Sequence, residues 1–235
     1  MFGIFTGTVA NAAMVIAGTA VGCLFKMDIL KKIGDRVFQA FGFFVMVLGI
    51  SGAIALNQPI FTLLSLVIGI AFGEIVDLDD KFTRLGNFLQ SRFSKSSDSK
   101  FAEGFIQASL LFCIGSMSSM GAMEAGLQNQ HSIYLTKGLI DGISAIGFSM
   151  GAGIGVAFSA LAVLVYQGLM VLGANIISGI LTDEIIALST QIGSLSLIAL
   201  SFNMLGLTKI KVANFLPAMF IPILYQAILV MLGMA

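Results

Sequence analysis

The sequence predicts an all-α fold, a polytopic transmembrane helical bundle of about eight hydrophobic segments, some of them broken or re-entrant at glycine-rich points. Three observations predict it. Hydrophobic residues make up 57% of the 235-residue chain and charged residues only 10%, with a mean hydropathy of +1.01. A soluble domain carries about 25% charged residues, because it needs a charged surface however large its core. Eleven of the twelve Lys and Arg residues fall in three short segments, and the stretches between them are long enough to cross a bilayer. Short basic loops between long apolar runs mark the cytoplasmic side of a multi-pass membrane protein.

The elements follow in order. The first run, 2–25, lacks a basic leader and is too long for a signal-peptide core, so it is expected to be a retained first span. Starting outside, it descends to the basic loop 26–36, with Lys26, Lys31, Lys32 and Arg36. Span 37–56 returns to the turn Asn57-Gln58-Pro59, and span 60–76 descends again. Residues 1–76 thus form an N-terminal three-helix membrane half.

Segment 77–102 is the one long polar stretch, with Lys81, Arg84, Arg92, Lys95 and Lys100. Leu78, Phe82, Leu85 and Leu89 recur at helical spacing, which predicts an amphipathic helix whose basic residues meet lipid phosphates. A serine-rich linker, 94–100, leads into the C-terminal membrane half, 103–235.

In that half, spans are expected at 104–125, 138–154, 156–174, 185–206 and 214–234. As one helix, 138–174 would be about 55 Å long, far more than a bilayer is thick. The run Gly151-Ala152-Gly153-Ile154-Gly155 supplies the break. Counting two segments there places loop 207–213, with Lys209 and Lys211, on the same side as the other basic loops and puts both chain ends outside.

Polar residues inside apolar spans are the candidate ion- or solute-binding groups, since burying a charge in hydrocarbon costs about 2.5–3.5 kcal/mol on insertion scales. Glu74 closes the third span beside Gly73, either as a binding carboxylate or as a hydrated interfacial charge. Lys137 and Asp141 stand one helical turn apart. They form either a cation- or proton-binding carboxylate with its counter-charge, or a salt bridge that lets the helix enter the membrane neutral. Glu124 reads as an interfacial charge near them. Asn11, Gln167 and Asn203 can hydrogen-bond neighbouring helices or offer amide oxygens to a solute.

The run Gly115–Met123 is rich in small residues, hydroxyls and thioethers, and Ser116 and Ser119 are its candidate solute contacts. Its three methionines have no matching second cluster, so copper is not expected. Pro217 is expected to end a helix or free carbonyls against protein or a water-filled cavity. Gly18/Gly22 and Gly69/Gly73 are GxxxG pairs suited to close helix contacts, within a chain or in a homo-oligomer. A short likeness between 69–74 and 198–203 suggests an internal repeat.

Other classes are excluded. Zero net charge gives no case for nucleic acid. Cys23, Cys113 and the single His131 form no metal cluster, and no cofactor is implied. No phosphate loop, zincin motif or nucleophile–base pattern is present, so an enzyme is not expected.

Several runs carry a family resemblance: Gly7–Ala12, Gly73-Glu74, Glu103–Met117, Lys137–Gly142, Tyr166-Gln167-Gly168 and Ile210–Ala218. With these, nearly the whole chain resembles the YqgA/YdfK-like proteins, an uncharacterised bacterial family. The resemblance implies a multi-pass protein of the bacterial cytoplasmic (inner) membrane and supplies no substrate or catalytic residue. Two functions remain open: a secondary transporter or channel for a small ion or polar solute, and a non-transporting membrane scaffold or regulatory subunit. A polar cavity near the midplane would mark the first, and a dry bundle the second.

Overall fold

The computed structural model describes residues 3–24, 31–54, 58–93 and 100–234, with the side chains of 31–33, 35 and 93 left aside. Residues 26–30, Asn57 and linker residues 94–99 of the expected loops lie outside the described residues. The described chain is helical throughout, without strands: α1 (Thr6–Leu24), α2 (Lys31–Ile54), α3 (Pro59–Val76), α4 (Leu78–Phe93), α5 (Phe101–Cys113), α6 (Ser116–Gln128), α7 (Ser132–Ala152), α8 (Gly155–Ile177), α9 (Asp183–Met204) and α10 (Ile221–Met231). A 3-10 segment, Val212–Phe220, leads into α10, and a 3-10 turn, Gly3–Phe5, precedes α1.

Local sequence sets several boundaries. Pro59 opens α3, where its missing N–H costs no helical bond, and Asp77 closes it in the left-handed conformation at φ 49°. The Thr182 side chain caps α9 by accepting from the Ile185 N–H, and Asp183 and Glu184 favour the positive end of that helix. α7 ends at Gly153, φ +76°, so 138–174 is two helices, as its length requires. Pro217 sits inside the 3-10 segment that begins the last crossing.

The span expected at 104–125 is one of the broken segments. It divides at Ile114-Gly115 into α5 and α6, bent by 63°. Gly115 takes φ +134°, a conformation other residues avoid, and α6 starts without a side-chain cap.

By length and composition, six described helices can cross a bilayer, or seven with the bent pair. α7 falls short because of Lys137 and Asp141, yet it runs parallel to α1 along its length. A Cβ on Gly7 would meet Tyr134 at 2.8 Å and His131 at 3.2 Å, and one on Gly18 would strike the Gly142 carbonyl. A Cβ on Gly22 would strike Ile146 and Ser149 further along. The two backbones are in contact, which only glycine permits.

Each of the three N-terminal helices docks on a C-terminal element. α2 runs antiparallel to α9, with Gly42 beside Met204 and Leu205 and Gly49 beside Ser194 and Ile198. α3 runs antiparallel to the final crossing, with Gly73 against Asn214, Gly69 against Ala218 and the Phe61 ring 5.2 Å from that of Tyr225 at a 58° tilt. Both GxxxG pairs are therefore used within the chain. α8 runs parallel to the broken pair, Phe101 beside Gly155 and Gly126 beside Val171 and Ala174.

These pairings sort the chain into two ends. One gathers Gly3, Gln58, Glu124, Asn129 and Glu184, where Gln58 donates to Glu184 at 2.6 Å. The other gathers Asp77, Asp79, Phe101, Gly155 and Lys211, with Lys211 bound to Asp77 at 3.1 Å. The described Lys and Arg residues other than Lys137 lie at this second, basic end. The main apolar core, with Val15, Leu111, Phe112, Phe148, Val163 and Ile192, sits between the ends.

Candidate functional site: a buried polar layer at a broken helix

Near the first end, Ala122, Ala125, Tyr134 and Val171 form an apolar plug with Ile4 and Phe5. One helical turn deeper, the same helices change character. Ile4 is followed by Thr8, Ala122 is preceded by Ser118, Tyr134 is followed by Lys137, and Val171 is preceded by Gln167. α1 and α7 run away from this end while α6 and α8 run toward it, so these steps all lead inward to one level. Thr8, Ser118 and Gln167 are buried there at 1% exposure or less.

The charged members complete the layer. Lys137 and Asp141 are both buried and form an ion pair along one face of α7. The Lys137 ammonium also donates to the Phe112 carbonyl at 2.7 Å. That carbonyl lies in the last turn of α5, where the break removes its helical partner. A cation there also suits the negative end of the helix dipole. Lys137 thus ties α7 to the point where the broken span bends. The Tyr134 hydroxyl donates to the Ser118 carbonyl at 2.9 Å and fixes the first turn of α6.

Much of the layer is unsatisfied by protein. Thr8 Oγ1, Ser118 Oγ and both amide atoms of Gln167 are buried without a hydrogen-bond partner. Asn11 packs against Gly138, and its amide faces the Asp141 carboxylate. Each such group costs about 1–3 kcal/mol when left unpaired in a dry interior.

From the basic end, a polar vestibule approaches this layer. A cleft of about 570 Å³, lined by residues including Asp79, Glu103, Gln107, Asn203 and Lys211, shares Glu103, Gln107 and Asn203 with a second cleft of about 370 Å³. Gln107 donates to Glu103 at 2.9 Å. Leu110, Leu200 and Gln107 line the first cleft, and Leu110, Leu111, Ile192 and Leu200 belong to the buried core. Gln107 and Phe112 are five residues apart, about 7.5 Å of helix, which sets the thickness of the apolar barrier. At the mouth, the bond from Lys211 holds the Asp77 carboxyl below the usual carboxylate range. Burial pushes Asp79 up instead.

The residues singled out from sequence divide accordingly. Asn11, Lys137, Asp141 and Gln167 come together. Ser116 and Ser119 flank Ser118 at the start of α6, and Ser119 reaches the Tyr166 hydroxyl. Asn203 lies elsewhere, on the vestibule wall. Its amide donates to the Ile210 carbonyl at 2.7 Å and accepts from Ile210 N–H and Thr208, clamping the loop after α9. Glu74 is exposed at the end of α3, outside the layer. Glu124 accepts from Ser132 and from the Ile133 N–H, holding the α6–α7 turn. Thr8, the Phe112 carbonyl and the Glu103–Gln107 pair are not singled out by sequence, while Ser118 falls inside the Gly115–Met123 run that is. The i to i+4 spacing of Glu103 and Gln107 was visible, but the freed carbonyl depends on a break that hydropathy does not register.

A family model described as "Protein of unknown function (DUF554)" matches residues 6–227. The chain belongs to this family. Among curated relatives, it is 36% identical over 223 residues to "Uncharacterized membrane protein YdfK" of Bacillus subtilis (strain 168), covering 92% of this chain and 93% of that protein. It is 26% identical over 218 residues to "Uncharacterized protein YqgA" of Escherichia coli (strain K12), covering 91% and 92%. No solved structure matches. The DUF554 match spans the whole polar layer, from Thr8 to Gln167. Membership and the apolar helices together make this a multi-pass membrane protein.

Proposed function

We propose that this chain is a secondary transporter, or a channel, for a small ion or polar solute across the bacterial cytoplasmic membrane, with the basic end inside. The observation that carries the reading is the buried layer of unpaired polar groups at a helix break, closed by apolar plugs on both sides. Discontinuous helices near the midplane are how many transporters build sites, because their free backbone ends bind polar groups where hydrocarbon would otherwise forbid it. The arrangement corresponds to an occluded state. Asn11, Gln167, Ser118 and Thr8 contact the solute, while Lys137 and Asp141 balance charge and hold α5 and α6 at their bend. Ser116 and Ser119 line the approach.

The orientation rests on charge: the described Lys and Arg outside α7 cluster at the vestibule end, while Glu124, Asp183 and Glu184 mark the other. A scaffold would be expected to satisfy its buried polar groups internally, and this layer does not.

The test is flux into liposomes of purified protein, challenged with a panel of ions and uncharged polar solutes and read by current and by light scattering. Wild type is expected to move at least one solute, Asp141→Asn to lose that flux, and Glu74→Gln to keep it. Flux that survives in Asp141→Asn and disappears in Glu74→Gln would overturn the site.

A further inference from the structure

A third cavity lies on the other side of α5 and has a different chemistry. Its volume is about 510 Å³, and it is a lateral groove between α4, α5, α8 and the 3-10 segment. Phe82, Leu85 and Leu89 form one wall, and Leu161, Val165 and Leu169 form another. Leu85, Val165 and Leu169 are exposed along its rim, while Phe105 and Leu110 are buried at its floor. Among its lining residues only Ser109, Cys113 and Tyr166 carry polar side-chain atoms. This groove faces the bilayer, not the vestibule.

Its depth matches one leaflet. Along α8 the groove runs from Leu161 to Leu169, about 12 Å at 1.5 Å per residue. Half of a hydrocarbon core about 30 Å thick is about 15 Å. An acyl chain entering from the basic-end leaflet therefore reaches the inner end of the groove.

Charge picks the head group. α4 caps the groove at the basic end and presents its apolar face inward, with Leu89 buried against Phe101 and Phe105. Lys81 precedes that face and Arg92 follows it, both exposed, with the Arg92 guanidinium 5.8 Å from the centre of the Phe88 ring. Arg84, between them, is engaged by Asp80 at 2.6 Å. Two exposed cations at the interface, beside a leaflet-deep apolar slot, suit a phosphodiester head and its chain.

We propose that the groove is a binding site for one anionic phospholipid of the basic-end leaflet, with an acyl chain along α8 and the head group at Lys81 and Arg92. The inner end of the groove, at Cys113 and Tyr166, touches the α5–α6 break, and Tyr166 is linked to Ser119. The lipid therefore packs against the bend of the polar layer. This site stands whether or not the layer carries a solute.

The test uses the full chain purified in detergent, offered phosphatidylglycerol or phosphatidylcholine of the same acyl chains, with retained lipid counted by native mass spectrometry. Wild type is expected to keep one phosphatidylglycerol and to prefer it over phosphatidylcholine on the order of tenfold, from two basic residues. Ala162→Phe, which fills the groove at a partly exposed position, is expected to lose retention of both lipids. The double variant Lys81→Glu/Arg92→Glu is expected to keep a lipid and lose the preference. Circular dichroism and a monodisperse elution profile establish that each variant is folded. Equal retention of the two lipids by wild type, or full retention by folded Ala162→Phe, would overturn the proposal.

Discussion

Two lysine–aspartate pairs in this chain make opposite use of the same chemistry. Lys211 and Asp77 are 134 residues apart and meet at the basic end, both about half exposed. Lys137 and Asp141 are one turn apart on α7 and buried. The outer pair joins the end of α3 to the loop before the last crossing, where water screens it and it adds little. The inner pair has no water to fall back on. It is tolerable only because each charge neutralises the other and the ammonium also satisfies the Phe112 carbonyl. The difference teaches that location decides a pair's role: one fastens a loop, the other holds a broken helix in a shape the hydrocarbon would not otherwise permit.

The largest effect is expected from splitting the inner pair. Lys137→Met strands a buried carboxylate and is expected to destabilise the fold by about 3–5 kcal/mol, read as a large drop in thermal midpoint in detergent. The double change Lys137→Met/Asp141→Leu removes both charges and is expected to recover most of that loss. Double-variant stability no better than Lys137→Met would show that the two charges are not coupled.

Next comes the surface that presents this pair to α1. Gly18→Val puts a side chain where the Gly142 carbonyl lies, and overpacking of this kind costs about 1–3 kcal/mol or more. The same change at Gly168, where an added Cβ would meet nothing within 4 Å, is expected to be far milder. A Gly168→Val loss equal to that of Gly18→Val would remove the parallel α1–α7 contact from the account. Thr182→Ala, which deletes the α9 cap, is expected to cost about 1 kcal/mol in the same assay.

The smallest effect belongs to the outer pair, and pH separates it from the inner one. The folded Asp77 carboxyl is held below the usual range by the bond from Lys211. Its contribution is therefore present above the ordinary carboxylate value and lost as pH falls through the depressed one. Lys211 is raised, chiefly by its bond to Asp77, so the same contact is lost again as pH climbs past the ordinary lysine value toward the raised one. Asp77→Asn is expected to lower neutral-pH stability slightly and to flatten the acid limb of a stability–pH curve by the same small amount. An acid limb identical to wild type would contradict the assignment.

The same contrast explains what the amino-acid sequence could show. Hydropathy located the six described helices long and apolar enough to cross to within a few residues, because the cost of burying charge is written into composition. Helix rotation is not. Glu74 and Asn11 looked alike as polar residues in apolar spans. Thr62, Ser65, Gly69 and Gly73 form the buried stripe of α3, and Glu74 falls one position past it, about 100° around the helix. Asn11 lies on the buried stripe of α1 with Gly7, Val15, Gly18 and Gly22. Those stripes of small residues were readable, but deciding which helix each one meets needed the structure. The break at Gly115 was half legible: the run of small and polar residues was visible, while the carbonyl it frees and the lysine that finds it come from α5 and α7.

The central claim is that the layer around Ser118 becomes accessible to polar solutes from both ends. Cysteine accessibility tests it without knowing the substrate. Cys23 and Cys113 would be changed to Ala, Ser118→Cys introduced, and a charged, membrane-impermeant thiol reagent added to either face of oriented vesicles. Gln58→Cys and Thr208→Cys, one at each end, serve as controls that report sidedness. The account predicts modification of Ser118→Cys from both faces, slower than either control because the layer opens only transiently. No modification from either face, with both controls labelled from their own sides, would mean a dry bundle and would contradict transport through this layer.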